Sequence, residues 1–541
     1  MKRFDVPTDI RESYDAVIIG AGIGGLFAAN FLAHAGVSTL LIERHYEVGG
    51  YLQGGWRRGF YFDYGTQSNE IKGAILPSLQ RLGLEDRIKF HQCHHRFTSS
   101  DGLDLSLRKF DDAEPAFAAA YPESAEGVRR YFEYFRGAYE LARTLNEEGL
   151  RNMVMMDTTE FMPDYHAYWK AQSYYAELMD YDTTLAWHKC RQFFSKDRLS
   201  RVLTHFGYRN QSAFATGLFW HLWSDDYFYN EGGKQHFMDT LAEAFIERGG
   251  TLLMSTSVDE ILVEDDTARG VRLEDGRVVK ANVVISNADL RLTLRKLLRS
   301  HEAVSHLAKQ ADETPVSESF FTVFLGTSIP IEELRRALRN AHHTWDFPTH
   351  NGLPEPFDVS FHSALPMEVS APILHDPSLT QQPGSCFVLQ TFSYLDWMSR
   401  WRLSPDGTRR REYRVLKAQV EEQLIENATR LIPNLRERIV YQDSASPLTL
   451  LRYTCNADGA TAGWTWNRKR TMVKLTEQMI TLPIKNLFCA GHWVLYPGGL
   501  LTATLAGKIA ADLANAVLSG RVAPETLVAN TSNVTNEMQT V

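Results

Sequence analysis

Two glycine-rich stretches lie far apart in this sequence, near residues 22 and 498. The glycine spacing in the first is typical of a site that binds phosphate groups. The first, Gly20-Ala21-Gly22-Ile23-Gly24-Gly25, contains the pattern G-x-G-x-x-G. Gly20 permits a tight turn, Gly22 lets the backbone approach a pyrophosphate, and Gly25 lets the following helix pack closely. A phosphate placed there would lie at a helix N-terminus, where free N–H groups and the helix dipole favour negative charge.

The neighbouring elements have the order that a dinucleotide site requires. An apolar stretch from Ala16 to Ile19 predicts a buried strand, and the helix after the glycines is expected to reach about Ala35. A second apolar strand, Val37 to Ile42, ends at Glu43, where a ribose hydroxyl needs an acceptor. The sequence therefore predicts a dinucleotide-binding unit, and these residues alone leave NAD and FAD both open.

Further motifs make the chain resemble the superfamily of phytoene desaturases, carotenoid isomerases and retinol saturases. Glu43-Arg44 is followed by Gly49-Gly50, and a similar segment wraps the dinucleotide in flavoproteins of the amine oxidase and phytoene desaturase type. The other matching stretches, spread over nearly the whole chain, are Tyr229 to Gly250, Val359 to Leu389, Ser446 to Thr449 with Gly459 and Gly463-Trp464, and Ala490-Gly491-His492-Trp493 with Pro497-Gly498-Gly499.

The resemblance implies FAD as the cofactor and an α/β fold. Its parts would be a Rossmann-like FAD-binding domain of the GR2 type and a discontinuous substrate domain of mixed sheet and helices. It also implies that the backbone near Val258 contacts the adenine. Gly491, Pro497, Gly498, Gly499 and Leu500 would form a second glycine-opened helix N-terminus. That N-terminus could carry the negative charge of a reduced isoalloxazine.

The resemblance predicts a division of the chain into alternating cofactor and substrate segments. FAD-binding parts are expected at residues 1–109, 229–290 and 471–520. A helical, aromatic-rich segment is expected at 110–228, a substrate-domain sheet with helices at 291–470, and a disordered tail at 521–541. The aromatic and methionine residues of 110–228 suit a plain helical core, a cap over a long apolar tunnel, or an exposed patch that dips into a membrane surface.

The predicted activity is redox chemistry on a lipophilic polyene or isoprenoid-like substrate, by hydride exchange with flavin N5. His492 and Trp493 are the predicted residues near the flavin ring, although both equally suit packing behind the helix. His492 stands where many flavoproteins have an acid, and Leu500-Leu501 stands where the family commonly continues with glycine. Desaturation, saturation and isomerisation therefore all stay open. The alternatives are a flavin amine oxidase and a non-redox escort of prenylated proteins with the same fold.

Composition limits the partners and the compartment. The net charge of −9 argues against a nucleic-acid surface, because phosphate binding needs concentrated Lys and Arg. Five cysteines without a C-x-x-C pair fit free thiols in a reducing compartment. We expect a cytoplasmic protein with peripheral membrane contact and no membrane-spanning segment, and the oligomeric state stays open.

One histidine-rich stretch resembles a metal site. His91, Cys93, His94 and His95 lie close together in sequence. Their spacing is too tight for a structural zinc site, and no partner ligands follow. The sequence therefore predicts no metal.

Overall fold

The computed structural model describes residues 10–194, 210–347, 365–404 and 406–529, together with Phe4, Leu199, Val202, Leu203, Tyr208 and His362. Within these residues the strands form two seven-stranded sheets, a two-stranded sheet and a three-stranded sheet. The bounds of the α-helices are Ile23–His34, Leu76–Leu82, Ala113–Ala120, Ala125–Thr144, Arg151–Met155, Tyr165–Lys170, Tyr175–Thr183, Ala186–Cys190, Ala213–His221, Gly233–Glu247, Leu290–Leu292, Ser305–Glu313, Ile331–Ala337, Trp397–Arg402, Arg411–Thr429, Pro447–Thr454, Leu500–Leu518 and Pro524–Ala529.

The first large sheet gathers strands from three distant parts of the chain. Its order is Thr251–Leu253, Thr39–Ile42, Ser13–Ile19, Val278–Ser286, Thr267–Leu273 and Val258–Glu264, and Leu487–Cys489 also pairs with Val278–Ser286. The four strands from Thr251–Leu253 to Val278–Ser286 run parallel, and Leu487–Cys489 is parallel to the last of them. The strand Ser13–Ile19 is almost wholly buried, as expected for a parallel strand covered on both faces.

The second large sheet is mostly antiparallel. Its order is Ile439–Ala445, Ser319–Thr327, Ser385–Ser393, Met367–Ser370, His343–Phe347, His95–Ser99 and Asp104–Leu107. The strands His343–Phe347 and His95–Ser99 pair in parallel, with His343 opposite His95. This pairing corrects the predicted division, because His95 to Leu107 belongs to this sheet and not to the first cofactor segment. The hydrophobic pattern of a strand gives no information about a partner some 250 residues away.

Two small sheets connect the larger units. The strands Gly54–Arg57 and Phe60–Asp63 form a hairpin. The strand Tyr227–Asn230 pairs on its two sides with Asn69–Glu70 and Phe90–Gln92. In this register Glu70 lies opposite Tyr227.

The C-terminal part differs from its prediction. Pro524–Ala529 is a helix within the segment predicted to be disordered, and Leu527 is buried in the main core. Burial of Leu527 offsets the chain entropy that is lost when this segment becomes ordered, whereas polar side chains in water would not offset it. Residues 530–541 lie outside the described residues, as do 359–361 and 363–364 of the matching stretch Val359 to Leu389.

The helix Leu500–Leu518 is long and apolar enough to cross a membrane by length and composition, and no other helix of the described ranges passes that test. Its most apolar window is 78% buried inside the protein, as in the core helix of a globular fold. The helix contains Lys508, whose ammonium bonds to Asp512 at 2.9 Å and to the Met153 carbonyl at 2.8 Å.

Candidate functional site

Both glycine turns line one cavity of about 470 Å³. Its volume lies within the range of roughly 300–1,000 Å³ that is usual for ligand pockets. The predicted cofactor residues that line it are Gly20, Gly22, Gly24, Glu43, Arg44, Gly49, Gly50, Val258, Gly491, Gly499 and Leu500. The fold therefore brings together residues from both ends of the chain, as the sequence predicted.

Glycine allows the two turns to meet because the helices that follow them cross closely. A Cβ atom on Gly24 would lie 2.8 Å from the Ala503 carbonyl oxygen, and one on Gly507 would lie 2.2 Å from the Gly24 carbonyl oxygen. Gly25 lies outside the cavity. A Cβ atom there would be 2.0 Å from the Gly20 carbonyl oxygen, which agrees with the packing role predicted for Gly25.

Both helices present free N-termini to the cavity. Gly22 precedes the helix Ile23–His34, and Gly499 precedes the helix Leu500–Leu518. Neither cap residue has a side-chain cap, and neither first turn contains an acidic residue. The N–H groups and dipoles are therefore available for negative charge on a ligand.

Glu43 supplies the acceptor that the sequence predicted. Its Oε2 accepts a hydrogen bond from the Ala21 N–H and its Oε1 accepts one from the His45 N–H, both at 2.8 Å. Burial raises the pKa of Glu43, and these two N–H groups oppose that rise. Since each carboxylate oxygen has a further lone pair, the fixed side chain can also accept from a ribose hydroxyl.

Arg44 lines the cofactor cavity, but its guanidinium group is hydrogen-bonded to the protein backbone, which the motif did not predict. Its Nη2 donates to the carbonyl oxygens of Arg452 at 2.7 Å and Tyr453 at 2.8 Å. The guanidinium group therefore ties the end of the strand Thr39–Ile42 to the helix Pro447–Thr454 and closes one wall of the cavity.

The features of this cavity fit FAD: a glycine cradle, two uncapped helix N-termini and a fixed ribose acceptor. A sequence model of the family described as flavin containing amine oxidoreductase matches residues 23–515. The chain belongs to this family. The predicted cofactor, FAD, and the assignment as an oxidoreductase are thereby confirmed.

Individual relatives support the narrower resemblance. An inactive all-trans-retinol 13,14-reductase of Danio rerio is 24% identical over 520 residues, covering 91% of this chain and 84% of the relative. Prolycopene isomerase 2, chloroplastic, of an Oncidium hybrid cultivar is 26% identical over 527 residues, covering 93% and 84%. The predicted superfamily is confirmed by these matches.

The fold class is confirmed by solved structures. A putrescine oxidase bound to putrescine superposes with a TM-score of 0.61 at 15% identity, covering 94% of this chain and 99% of that one. At this identity the likeness concerns the fold alone.

The oxidoreductase places His492 and Trp493 at the same cavity but in unequal settings. The half-buried His492 ring lies 5.9 Å from the Tyr51 ring, and burial lowers the pKa of His492 to about 4. Its imidazole is therefore neutral at neutral pH. Trp493 is only 1% exposed, and its Nε1 donates to Asn456 Oδ1 at 2.8 Å. Because its N–H group is already bound, Trp493 is placed to hold the wall of the cavity.

Pro497 and Gly498 line a second, smaller cavity of about 130 Å³. This apolar cavity shares Gly499 and Leu500 with the cofactor cavity, so the two spaces meet at the N-terminus of the helix Leu500–Leu518. Its aromatic lining residues come from distant segments and are Tyr165, Trp169, Tyr208, Phe214, Phe219, Tyr227, Trp466 and Tyr496.

The helical segment 110–228 contains both a helical core and walls of an apolar cavity, while its contact with a membrane surface stays a prediction. Trp220 and Trp223 pack with Phe97 and Phe132 in an aromatic core. Other side chains of the segment line the apolar cavity, and there the Tyr208 and Trp466 rings stack at 4.6 Å. Helical spacing identifies buried positions but does not distinguish a core from a cavity wall.

Glu70 is a polar residue of the apolar cavity that the sequence analysis missed. Its Oε2 is buried and has no hydrogen-bond partner among the described residues. Burial raises the pKa of Glu70 to about 7. A carboxyl group with such a pKa can hold or release a proton near neutrality. The sequence signal was slight: one acid between the polar stretch Gln67 to Asn69 and the apolar Ile71.

Asn287 was also missed by the sequence analysis. It directly follows the strand Val278–Ser286, which pairs with the strand before the first glycine turn. Its Nδ2 donates to the Gly20 carbonyl oxygen at 3.2 Å. A Cβ atom on Gly24 would lie 2.6 Å from Asn287 Oδ1. This amide therefore fixes the first glycine turn and sits beside Gly491 of the second.

Proposed function

We propose that this FAD-dependent oxidoreductase acts on an unsaturated lipophilic substrate of the polyene or isoprenoid type. The observation that carries the proposal is the apolar, aromatic-lined cavity that joins the cofactor cavity at Gly499 and Leu500. The names of the two relatives, an inactive all-trans-retinol 13,14-reductase and a prolycopene isomerase, point to the same substrate class.

The bound cofactor would be held by Glu43 and by the two helix N-termini, and FAD supplies a two-electron redox centre when bound. The aromatic and aliphatic walls exclude water and orient an apolar chain without hydrogen bonds. Glu70 holds a proton at its carboxyl group and can deliver it to, or accept it from, a substrate carbon in the same cavity. The neutral imidazole of His492 adds no positive charge beside the cofactor.

The cavity volume limits how the substrate binds. About 130 Å³ accommodates only a segment of a long polyene. We therefore infer that the reacting segment enters this cavity while the rest of the chain lies beyond it. Contact with a membrane, from which such a substrate would arrive, stays a prediction.

Anaerobic mixing of the holoprotein with candidate polyenes tests the proposal. Loss of the oxidised-flavin absorbance on mixing with a reduced polyene, or product formation from a prereduced enzyme, supports it. The conversion of a cis-polyene without net change in the flavin spectrum would identify isomerisation. If only amines reduce the flavin, the polyene proposal fails.

One observation favours a flavin amine oxidase as the second candidate. Glu70 is a carboxyl group among aromatic rings, and such a setting can also bind an ammonium group. The Glu70→Gln variant separates the two. An amine substrate should show a large rise in KM, whereas a polyene should show a fall in kcat with KM little changed.

A further inference from the structure

A second cluster of reactive side chains lies outside the cavities described above. Cys93 Sγ and one ring nitrogen each of His342 and His343 lie within 4.8 Å of one another. All three residues are at most 2% exposed. Thiolate and imidazole are the ligands that zinc takes in protein sites.

Backbone hydrogen bonds next to two sheets, the three-stranded sheet and the second large sheet, hold these residues together. The Cys93 N–H donates to the Tyr227 carbonyl oxygen at 2.8 Å, and the His343 N–H donates to the His94 carbonyl oxygen at 3.1 Å. The parallel pairing of His95 with His343 continues this contact along the strands. The partner ligands that the sequence analysis did not find for Cys93 thus come from a stretch about 250 residues later.

The histidines of the cluster have unused hydrogen-bonding capacity. Both ring nitrogens of His342, and Nε2 of His343, have no hydrogen-bond partner within the described part of the chain. Leaving a buried polar group unpaired is unfavourable, so these ring nitrogens are suited to a ligand.

Glu368 contacts one histidine of the cluster and fixes the orientation of its ring. Its Oε1 is hydrogen-bonded to Nδ1 of His343. Metal-binding histidines usually donate their second ring nitrogen to a carboxylate, which fixes the ring and raises its basicity. With Nδ1 engaged in this way, Nε2 of His343 faces no competing partner among the described residues.

Ring stacking on the two histidines and a nearby lysine are the features that oppose a metal. The His95 ring stacks on His343 at 4.9 Å and the His375 ring on His342 at 5.6 Å, but stacking does not satisfy ring nitrogens. Lys234 interacts with Cys93 and opposes a second cation. A zinc ion would displace the proton of the buried thiol, and the resulting thiolate and Glu368 would then supply two negative charges. Ligands of one tetrahedral zinc lie about 3.5 Å apart, so the side chains must close by roughly 1 Å.

We propose that Cys93, His342 and His343 bind one zinc ion, with Glu368 holding His343 and a fourth coordination position left open. The ion would link residue 93 to residues 342 and 343 and stabilise the paired ends of the strands His95–Ser99 and His343–Phe347. The site is independent of the redox function proposed above, since it uses none of the residues that line the cofactor cavity.

Metal analysis of the purified holoprotein by inductively coupled plasma mass spectrometry tests the proposal. After dialysis without chelator we expect about one zinc per chain. Cys93→Ser and His342→Gln should each lose most of it. Two matched controls should keep it: Cys386→Ser, a buried cysteine of the same sheet, and His91→Gln, a half-exposed histidine of the same sequence stretch.

A second measurement covers the case in which a variant does not fold. The wild-type holoprotein is stripped with a chelator and titrated with Co²⁺, and retention of bound FAD is used to confirm an intact fold. A thiolate-to-cobalt charge-transfer band in the difference spectrum supports the site. Wild-type protein that neither contains zinc nor gives this band overturns the proposal, as does zinc retained at full stoichiometry in Cys93→Ser.

Discussion

The cofactor cavity and the apolar cavity meet at Gly499 and Leu500 but are built in different ways. The cofactor cavity is shaped by backbone: glycines that let helices cross, free N–H groups and one fixed carboxylate. The apolar cavity is shaped by side chains, with aromatic rings and a single carboxyl group from distant segments. A cavity shaped by backbone is suited to one constant ligand, the cofactor. In a cavity shaped by side chains, substitutions can change which substrate fits.

The largest effect that we expect concerns the side-chain-built cavity. Glu70→Gln removes the proton that Glu70 holds and should lower kcat by about 10²- to 10⁴-fold, the usual contribution of a general acid or base. FAD affinity should be unchanged, because Glu70 lies outside the cofactor cavity. Steady-state kinetics over pH 5–9 check this, and the limb of the kcat profile near pH 7 should vanish. Unchanged kinetics would remove Glu70 from the mechanism.

The helix crossing tests the backbone-built cavity. Gly507→Val places a side chain against the Gly24 carbonyl oxygen, and overpacking of this kind costs about 1–3 kcal/mol. We expect loss of bound FAD and a lower melting temperature, measured by flavin fluorescence and calorimetry. Asn515→Ala, a half-buried position on the same helix, is the control and should behave like wild type.

Glu43 should give a smaller change in the same cavity. Glu43→Gln turns one of two acceptor oxygens into a donor that faces an N–H group, and a hydrogen bond to a charged group contributes about 1.5–3 kcal/mol. The FAD dissociation constant should rise by at least tenfold in a titration of apoprotein. The exposed Glu264→Gln is the control, and equal affinities would show that Glu43 does not hold the ribose.

The two predicted ring-side residues should differ. Trp493→Phe loses the hydrogen bond to Asn456, worth about 1 kcal/mol, and should lower the melting temperature while leaving kcat within a few-fold of wild type. His492→Gln should leave stability nearly unchanged and alter the flavin absorption spectrum. A fall in kcat of more than tenfold for Trp493→Phe would instead make it a catalytic residue.

The pH dependence of stability gives the subtlest contrast. The raised pKa of Glu70 means that the folded state binds this proton more tightly than the unfolded state. Stability should therefore fall as the pH rises from about 4.5 to about 7, because the unfolded chain releases this proton over that range while the folded state keeps it. Glu70→Gln should lack this fall and melt at a higher temperature than wild type at pH 8. The same difference in melting temperature between wild type and Glu70→Gln at pH 5 and at pH 8 would contradict the buried setting of Glu70.

Local pattern determined the dinucleotide fold, because glycine spacing and strand–helix order constrain the backbone within short stretches. Gly22, Gly24 and Glu43 all line the cavity that the sequence predicted. Arg44 lines it too, but its hydrogen bonds to Arg452 and Tyr453 could not be read from the motif. The partners of a long side chain are set by the segment that packs over it.

The sequence by itself determined the first two strands, both glycine turns and the choice of FAD, since each depends on short-range spacing or on a motif of known use. Only the tertiary structure decided the place of His95 in the second sheet, Glu70 in the apolar cavity and Cys93 beside His342 and His343. Each of these settings is created by segments far apart in the chain. Strand pairing and burial, which local pattern does not encode, bring those segments into contact.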